Sequence, residues 1–264
     1  MKFAPIVPIK YLGKLASLSD FHMCLAPYLS EPLYKRYYAG RVKRGDTVIL
    51  DNGTAESGTV ETGRAIPVDE LFECWKSVGL PSIVVIPDDF SARKNLTRFR
   101  EFLNKGWYKR FEDLRPDVQF MAVPHSYEDF EIMTREPVVD IIGINKGWEL
   151  EPGGRAAIIE KFSDCGKKFH LLGLRKNPVA EIYSALQFKE LVIGCDSTLP
   201  YRIARSGRYL EEFSPNPPPM DFYEFSLADE ILDLCRTELK WFIGECEETN
   251  VNNNHEALDN KEEV

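Results

Sequence analysis

The stretch Leu191-Val192-Ile193-Gly194-Cys195-Asp196-Ser197 is five apolar or small residues that break abruptly into an acid and a hydroxyl. Five residues is strand length. A run this continuously apolar suits a strand buried on both faces, as parallel strands are when helices cover them. The same pattern recurs upstream at residues 21–26, 47–50, 82–86, 118–123, 138–144 and 168–174. Helix-like segments lie between the runs, at residues 68–78 after Pro67, 92–104, 127–135 after a Ser126 cap, 154–163 and 178–186.

Strands alternating with helices predict a parallel sheet with crossover helices, and the chain length suits a single α/β barrel. The expected fold is a TIM-type (β/α)8 barrel, irregular at its last strand. Seven runs are visible, so an eighth strand is expected after Asp196, with a doubly wound open sheet as the alternative. Beyond Pro217-Pro218-Pro219 the apolar residues Leu227, Ile231, Leu232, Leu234, Cys235, Leu239, Phe242 and Ile243 recur at helical spacing. They predict an added C-terminal helix over residues 227–244. Residues 1–244 therefore read as one barrel domain and residues 245–264 as an acidic, disordered tail.

The chain has 264 residues, 44% of them hydrophobic, and a formal net charge of −9. Residues 244–264 hold seven carboxylates and one lysine, so the body of the chain is close to neutral and can carry a basic groove. No basic segment followed by an apolar stretch opens the chain, and no run of membrane-spanning length occurs, which points away from a membrane. The six cysteines are scattered, without metal-ligand spacing, and read as reduced thiols of a cytoplasmic protein. In a cytoplasm the Asn95-Leu96-Thr97 sequon carries no glycan.

Polar residues collect where the runs end. The second runs into Asp51-Asn52-Gly53, the third into Asp88-Asp89, the fourth into His125, the fifth into Asn145 and the last into Asp196. Catalytic groups of α/β barrels sit at those C-terminal strand ends. Each residue also has a plainer reading: Asp89 can cap the following helix, His125 can cap or pack, and Cys195 can be a small core residue. Several carboxylates facing one barrel mouth suit chemistry at an anomeric carbon, one attacking C1′ of a sugar while another manages the leaving group's proton. The residues alone reach carboxylate-based glycosyl chemistry and name no substrate.

The segment Phe169-His170-Leu171-Leu172-Gly173-Leu174, with Asn177-Pro178 and then Gly194-Cys195-Asp196-Ser197-Thr198-Leu199-Pro200, resembles the guanine transglycosylase family. Arg205-Ser206-Gly207-Arg208 looks like that family's Ser-Gly-Arg segment. Upstream, Asp51-Asn52-Gly53 resembles its Asp-Ser-Gly-Gly signature, Asp88-Asp89 its base-recognising acid, Val123-Pro124-His125 a Val-Gln-Gly turn, and Ile142-Gly143-Ile144 a double glycine. The likeness spans roughly residues 45–210. It departs at Pro124 and Ile144, and the zinc ligands that the tRNA enzymes carry after the nucleophile have no counterpart here. A short chain without that zinc site looks more like the DpdA-type DNA transglycosylases of phages and bacteria.

The resemblance implies exchange of guanine in DNA for a free 7-deazaguanine base such as 7-cyano-7-deazaguanine, in the cytoplasm of a phage's host if the chain is phage-encoded. Asp196 would be the covalent nucleophile and Asp51 the proton-transfer group. Asp88, Asp89, Asn52, Gly53, His125, Gly143 and Asn145 would bind the base, and Arg175, Lys176, Arg202, Arg205 and Arg208 the nucleic acid. No cofactor and no metal is implied. The alternatives are a zinc-free tRNA-guanine transglycosylase, a barrel N-glycosidase or nucleoside hydrolase, and a non-catalytic nucleic-acid-binding barrel.

Overall fold

The computed structural model of the protein describes residues 1–54, 66–174, 177–207, 222–223 and 227–247. Its eight strands are β1 (Lys2–Pro5), β2 (Phe21–Leu25), β3 (Thr47–Asp51), β4 (Ile83–Val85), β5 (Gln119–Ala122), β6 (Ile141–Asn145), β7 (Lys168–Leu172) and β8 (Val192–Ser197). They form one sheet in the order β1-β8-β7-β6-β5-β4-β3-β2, every ladder parallel. Helices α1 (Pro32–Arg44), α2 (Val68–Ser77), α3 (Ala92–Asn104), α4 (Trp107–Glu112), α5 (Tyr127–Arg135), α6 (Gly154–Lys161), α7 (Pro178–Leu186) and α8 (Leu199–Arg205) alternate with the strands, and α9 (Asp229–Glu247) follows. The fold is a TIM-type (β/α)8 barrel with an added C-terminal helix.

All seven apolar runs are strands, but the eighth is not where the run-counting expectation put it. It is β1, at the start of the chain, pairing Lys2 with Gly194 and Ala4 with Asp196. Lys2-Phe3-Ala4-Pro5 is too short for periodicity to register, with a lysine at one end and a proline at the other. The ladder continues one bond past Pro5, where Ile6 N donates to Ser197 O at 3.0 Å. The segment after Asp196 forms α8 instead.

Strands β1 and β2 border one another without a ladder between them. Side chains close the seam. Ser19 Oγ donates to Phe3 O at 2.8 Å and accepts from Phe21 N at 3.1 Å, and Lys2 Nζ pairs with Asp20 at 2.7 Å. Gly194 lets the inside fill: a Cβ there would lie 2.6 Å from Lys2 O and 2.7 Å from the Phe21 ring. Phe21 can therefore project inward only because residue 194 has no side chain.

Local sequence explains the helices that were legible. Ser126 Oγ accepts from Asp129 N at the start of α5, and Asn177 Oδ1 accepts from Ala180 N ahead of Pro178 in α7. Helix α9 starts and ends slightly later than the spacing predicts. It carries Cys246 into the core with Leu232, Cys235, Leu239 and Phe242, a stripe at three- and four-residue steps. Residues 245–247 of the segment expected as a tail are thus helical, and residues 248–264 lie outside the described residues. Among the described residues no helix is long and apolar enough to cross a membrane.

Candidate functional site

The parallel ladders fix which residues meet at the barrel mouth. In β7 and β8, His170 pairs in register with Gly194, one step below Asp196 on the same face. His170 and Asp196 lie 3.0 Å apart, Nε2 to Oδ1, and His170 has no exposed surface. An ionised carboxylate only accepts, so Nε2 carries the proton. The buried Nδ1 is left without a partner. The second oxygen of Asp196 accepts from Gly173 N at 3.2 Å, at a turn where Gly173 adopts φ of +66°. Among the described residues no Lys or Arg pairs with Asp196. A carboxylate offers about four lone-pair directions, so these two hydrogen bonds orient this one without using all of its accepting capacity.

A second cluster spans the ends of β3, β4, β5 and β6. Asn52 Nδ2 donates to Asp88 Oδ1 at 3.0 Å, and Asp88 Oδ2 lies 2.8 Å from His125 Nε2. Asn145 Nδ2 lies 3.4 Å from His125 Nδ1 and donates to Pro124 O at 3.2 Å. The amide orientation follows from the next turn, because Asn145 Oδ1 accepts from Gly147 N at 2.8 Å. With an amide donor facing Nδ1, the imidazole carries its proton on Nε2 and donates to Asp88. Each member holds the next in one tautomer and one rotamer. Asn52 and Asp88 are buried, and Asn145 is half-buried at the opening.

Asp51 ends β3 half-buried, with Oδ1 accepting from Gly53 N at 2.6 Å. Gly53 has φ of +73°, and a Cβ there would fall 2.2 Å from Pro27 Cγ, so only glycine makes this turn. Gly143 lines the barrel interior, where a Cβ would meet the Leu172, Met121 and Val123 side chains.

Other expected site residues sit elsewhere. Asp89 turns toward α3: Oδ1 accepts from Ser91 N at 3.0 Å, and Oδ2 pairs with Arg98 Nε at 3.3 Å. It sits two residues before Ser91, the N-cap of α3, and so is not itself the cap of the plainer reading, while Asp88 faces the cluster. Arg202 and Arg205 are half-buried on α8 and engaged with other groups, and burial lowers the pKa of Arg202. Arg175, Lys176 and Arg208 lie outside the described residues. The sequon residue Asn95 is buried, donating to Val123 O and Asp129.

Three aromatic side chains, Tyr38, Trp148 and Tyr201, are spent on packing. Tyr38 donates to Met23 O, Trp148 donates to Pro124 O, and Tyr201 is buried. Arg41 of the basic cluster at residues 41–44 is also buried, paired with Asp46 at 3.1 Å and seated over the Tyr37 ring. Cys195 lies 3.9 Å from Cys246, and that contact together with burial raises the thiol well above its usual range. It is a core residue beneath Asp196.

Sequence reasoning gave no role to His170, Gly173 or Arg155. The signal for His170 was its even spacing from strand-end residue Leu172, but which β8 residue it faces depends on register. Phe90 is a further missed rim residue, partly exposed, its ring edge-on to His125 at 5.7 Å.

No family model and no curated protein matches the chain. Among solved structures, the crystal structure of RipC from Yersinia pestis is similar at a TM-score of 0.42 and 10% sequence identity, over 90% of this chain and 94% of that one. A likeness that distant carries no functional argument.

Proposed function

We propose that the protein is a base-exchanging glycosyltransferase, a DNA guanine transglycosylase in which Asp196 is the covalent nucleophile. The observation that carries this reading is the contrast within one barrel mouth. A carboxylate fixed by an imidazole and a backbone N–H, with no arginine or lysine on it among the described residues, stands with a fully interlocked polar arc built around Asp88. The motif resemblance supplies the substrate class.

In this mechanism an Asp196 oxygen attacks C1′ of an extruded deoxyguanosine. The C1′–N9 bond breaks, its electron pair leaves with guanine, and a sugar ester forms on Asp196. The incoming 7-deazaguanine then attacks C1′ through N9 and releases the carboxylate. The proton taken up by the departing base and the proton given up by the incoming one both pass through Asp51, so none is consumed overall. Asp88 accepts from the N–H groups on the Watson–Crick edge, with His125 and Asn52 holding its orientation. Extruding the target nucleotide costs a few kcal/mol, which contacts to the DNA phosphates must offset.

The test is release of labelled guanine from duplex DNA, with and without 7-cyano-7-deazaguanine, repeated with tRNA and with Asp196→Ala. Loss of label from DNA only when the deazaguanine is present, abolished in the variant, is the expected result. Release without exchange would make the protein a glycosidase, and release only from tRNA would change the substrate. Release from neither would overturn the proposal.

A further inference from the structure

Arg155 occupies the first turn of α6 and is 3% exposed, too buried to meet a nucleic acid. Its guanidinium reaches under the barrel mouth. Nη1 donates to Ile144 O at 2.9 Å and to Leu172 O at 3.1 Å, Nη2 donates to Gly173 O at 2.8 Å, and Nε pairs with Glu181 of α7. Glu181 keeps its other oxygen buried without a partner. A buried ion pair of this kind is a weak source of stability, because desolvation of both charges offsets their attraction. Its geometry, by contrast, is specific.

The Leu172 carbonyl that Arg155 holds belongs to the same peptide group as the Gly173 N–H that donates to Asp196. A trans peptide is planar, with its C=O and N–H pointing in opposite directions. A cation fixing the oxygen on one side therefore aims the hydrogen at the other. It also polarises the group, since its positive charge sits at the negative end of the peptide dipole. Gly173, at φ of +66°, has the backbone freedom to let this peptide turn over, which would point a carbonyl at the carboxylate instead. The third carbonyl, Ile144 O, adjoins Asn145, so the same guanidinium also pins the end of the arc that holds His125.

The geometry points to Arg155, locked by Glu181, as a positioning residue for Asp196, acting through the Leu172–Gly173 peptide. This rests on the base-exchange reading for its catalytic consequence, though not for its structural one. Arg155 touches no substrate. It sets the direction of the one backbone donor on the nucleophile, and it ties that donor to the neighbouring arc.

The experiment compares wild type with the double variant Arg155→Met/Glu181→Leu, which removes both buried charges together, and with Arg155→Lys, which keeps a cation for Glu181 but not the planar fork that spans three carbonyls. The double variant avoids a stranded buried charge but leaves three carbonyls without the guanidinium, so it is expected to melt somewhat below wild type, and kcat is read where it is fully folded. Its kcat should fall about 100-fold, the scale of a misplacement near 1 Å, with KM for DNA and for the free base little changed. Arg155→Lys should show the same split.

The Gly173 amide resonance in a 1H–15N spectrum gives a readout independent of turnover. It should move in both Arg155 variants, and in Asp196→Ala as well. Recovery of kcat along with stability in the double variant would reduce Arg155 to a structural role, and an unmoved Gly173 amide would overturn the inference outright. If wild type exchanges no base at all, that result counts against the transglycosylase reading, and the amide alone decides the role of Arg155.

Discussion

Two buried histidine–aspartate pairs sit at opposite ends of this barrel, and they differ in one partner. At the N-terminal end, His22 Nε2 lies 3.3 Å from Asp46 Oδ2, and Arg41 also binds that oxygen. At the C-terminal end, His170 lies 3.0 Å from Asp196, whose other oxygen, among the described residues, takes only the Gly173 N–H. Both imidazoles are fully buried and both leave Nδ1 without a partner. The arginine makes the lower carboxylate part of an ion pair. Among the described residues the upper one has no such cation, and it lies at the C-terminal strand ends, where α/β barrels that are enzymes carry their catalytic groups.

Exchanging the two aspartates for alanine breaks this comparison most directly. Asp196→Ala should reduce base exchange on the order of 1,000-fold or more, as loss of a covalent nucleophile does, with its melting temperature nearly unchanged. Asp46→Ala should do the reverse. It strands Arg41 and His22 without their carboxylate and should cost about 3 kcal/mol in denaturant melts, while exchange by the folded fraction persists. Equal loss of activity in both variants would erase the distinction.

A pH titration of stability sharpens the lower pair. Burial, followed by the Arg41 charge, lowers the His22 pKa from 6.5 to about 4, against the smaller opposing pull of Asp46. The unfolded chain takes a proton near 6.5 while the folded one takes it only near 4. Stability from this group is therefore fully present above pH 6.5, declines as pH falls toward 4 and levels off below it, a total of about 3 kcal/mol. His22→Gln should remove that part of the slope in urea melts at stepped pH. An unchanged slope would mean that His22 does not titrate as its surroundings require.

Smaller effects are expected from the arc and the seam. His125→Ala leaves Asp88 and Asn145 without their shared partner and should weaken free-base binding by about tenfold, the worth of one to two hydrogen bonds. Calorimetry with the deazaguanine reads this directly. Ser19→Ala opens the unladdered seam between β1 and β2 and should cost about 1 kcal/mol, seen in thermal melts with exchange intact.

Most of the architecture was legible locally. The runs at residues 21–26 and 47–50 announce β2 and β3 by composition alone, and Ser126 and Asn177 mark their helices by the donors they satisfy. Strand β1 was illegible because Lys2-Phe3-Ala4-Pro5 has no pattern of its own and becomes a strand only when β8 offers an unpaired edge. Among the site residues, Asp51, Asp88, His125, Asn145 and Asp196 stood out as polar residues ending apolar runs. Asp88 and Asp89 looked alike in the sequence. The turn into α3 separates them, giving Asp89 to Ser91 and Arg98 and leaving Asp88 for His125.

The sequence by itself thus determined the alternation of strand and helix, the parallel sheet and the gathering of polar residues at one end, because burial and backbone hydrogen bonding act over a few neighbouring residues. The tertiary structure alone decided that His170 meets Asp196, that Arg155 holds the peptide beneath them, and that residues 2–5 supply the eighth strand beside β8. Those outcomes depend on the register between strands, and register is set only when the whole barrel packs, since a shift of one residue would turn every inward side chain out.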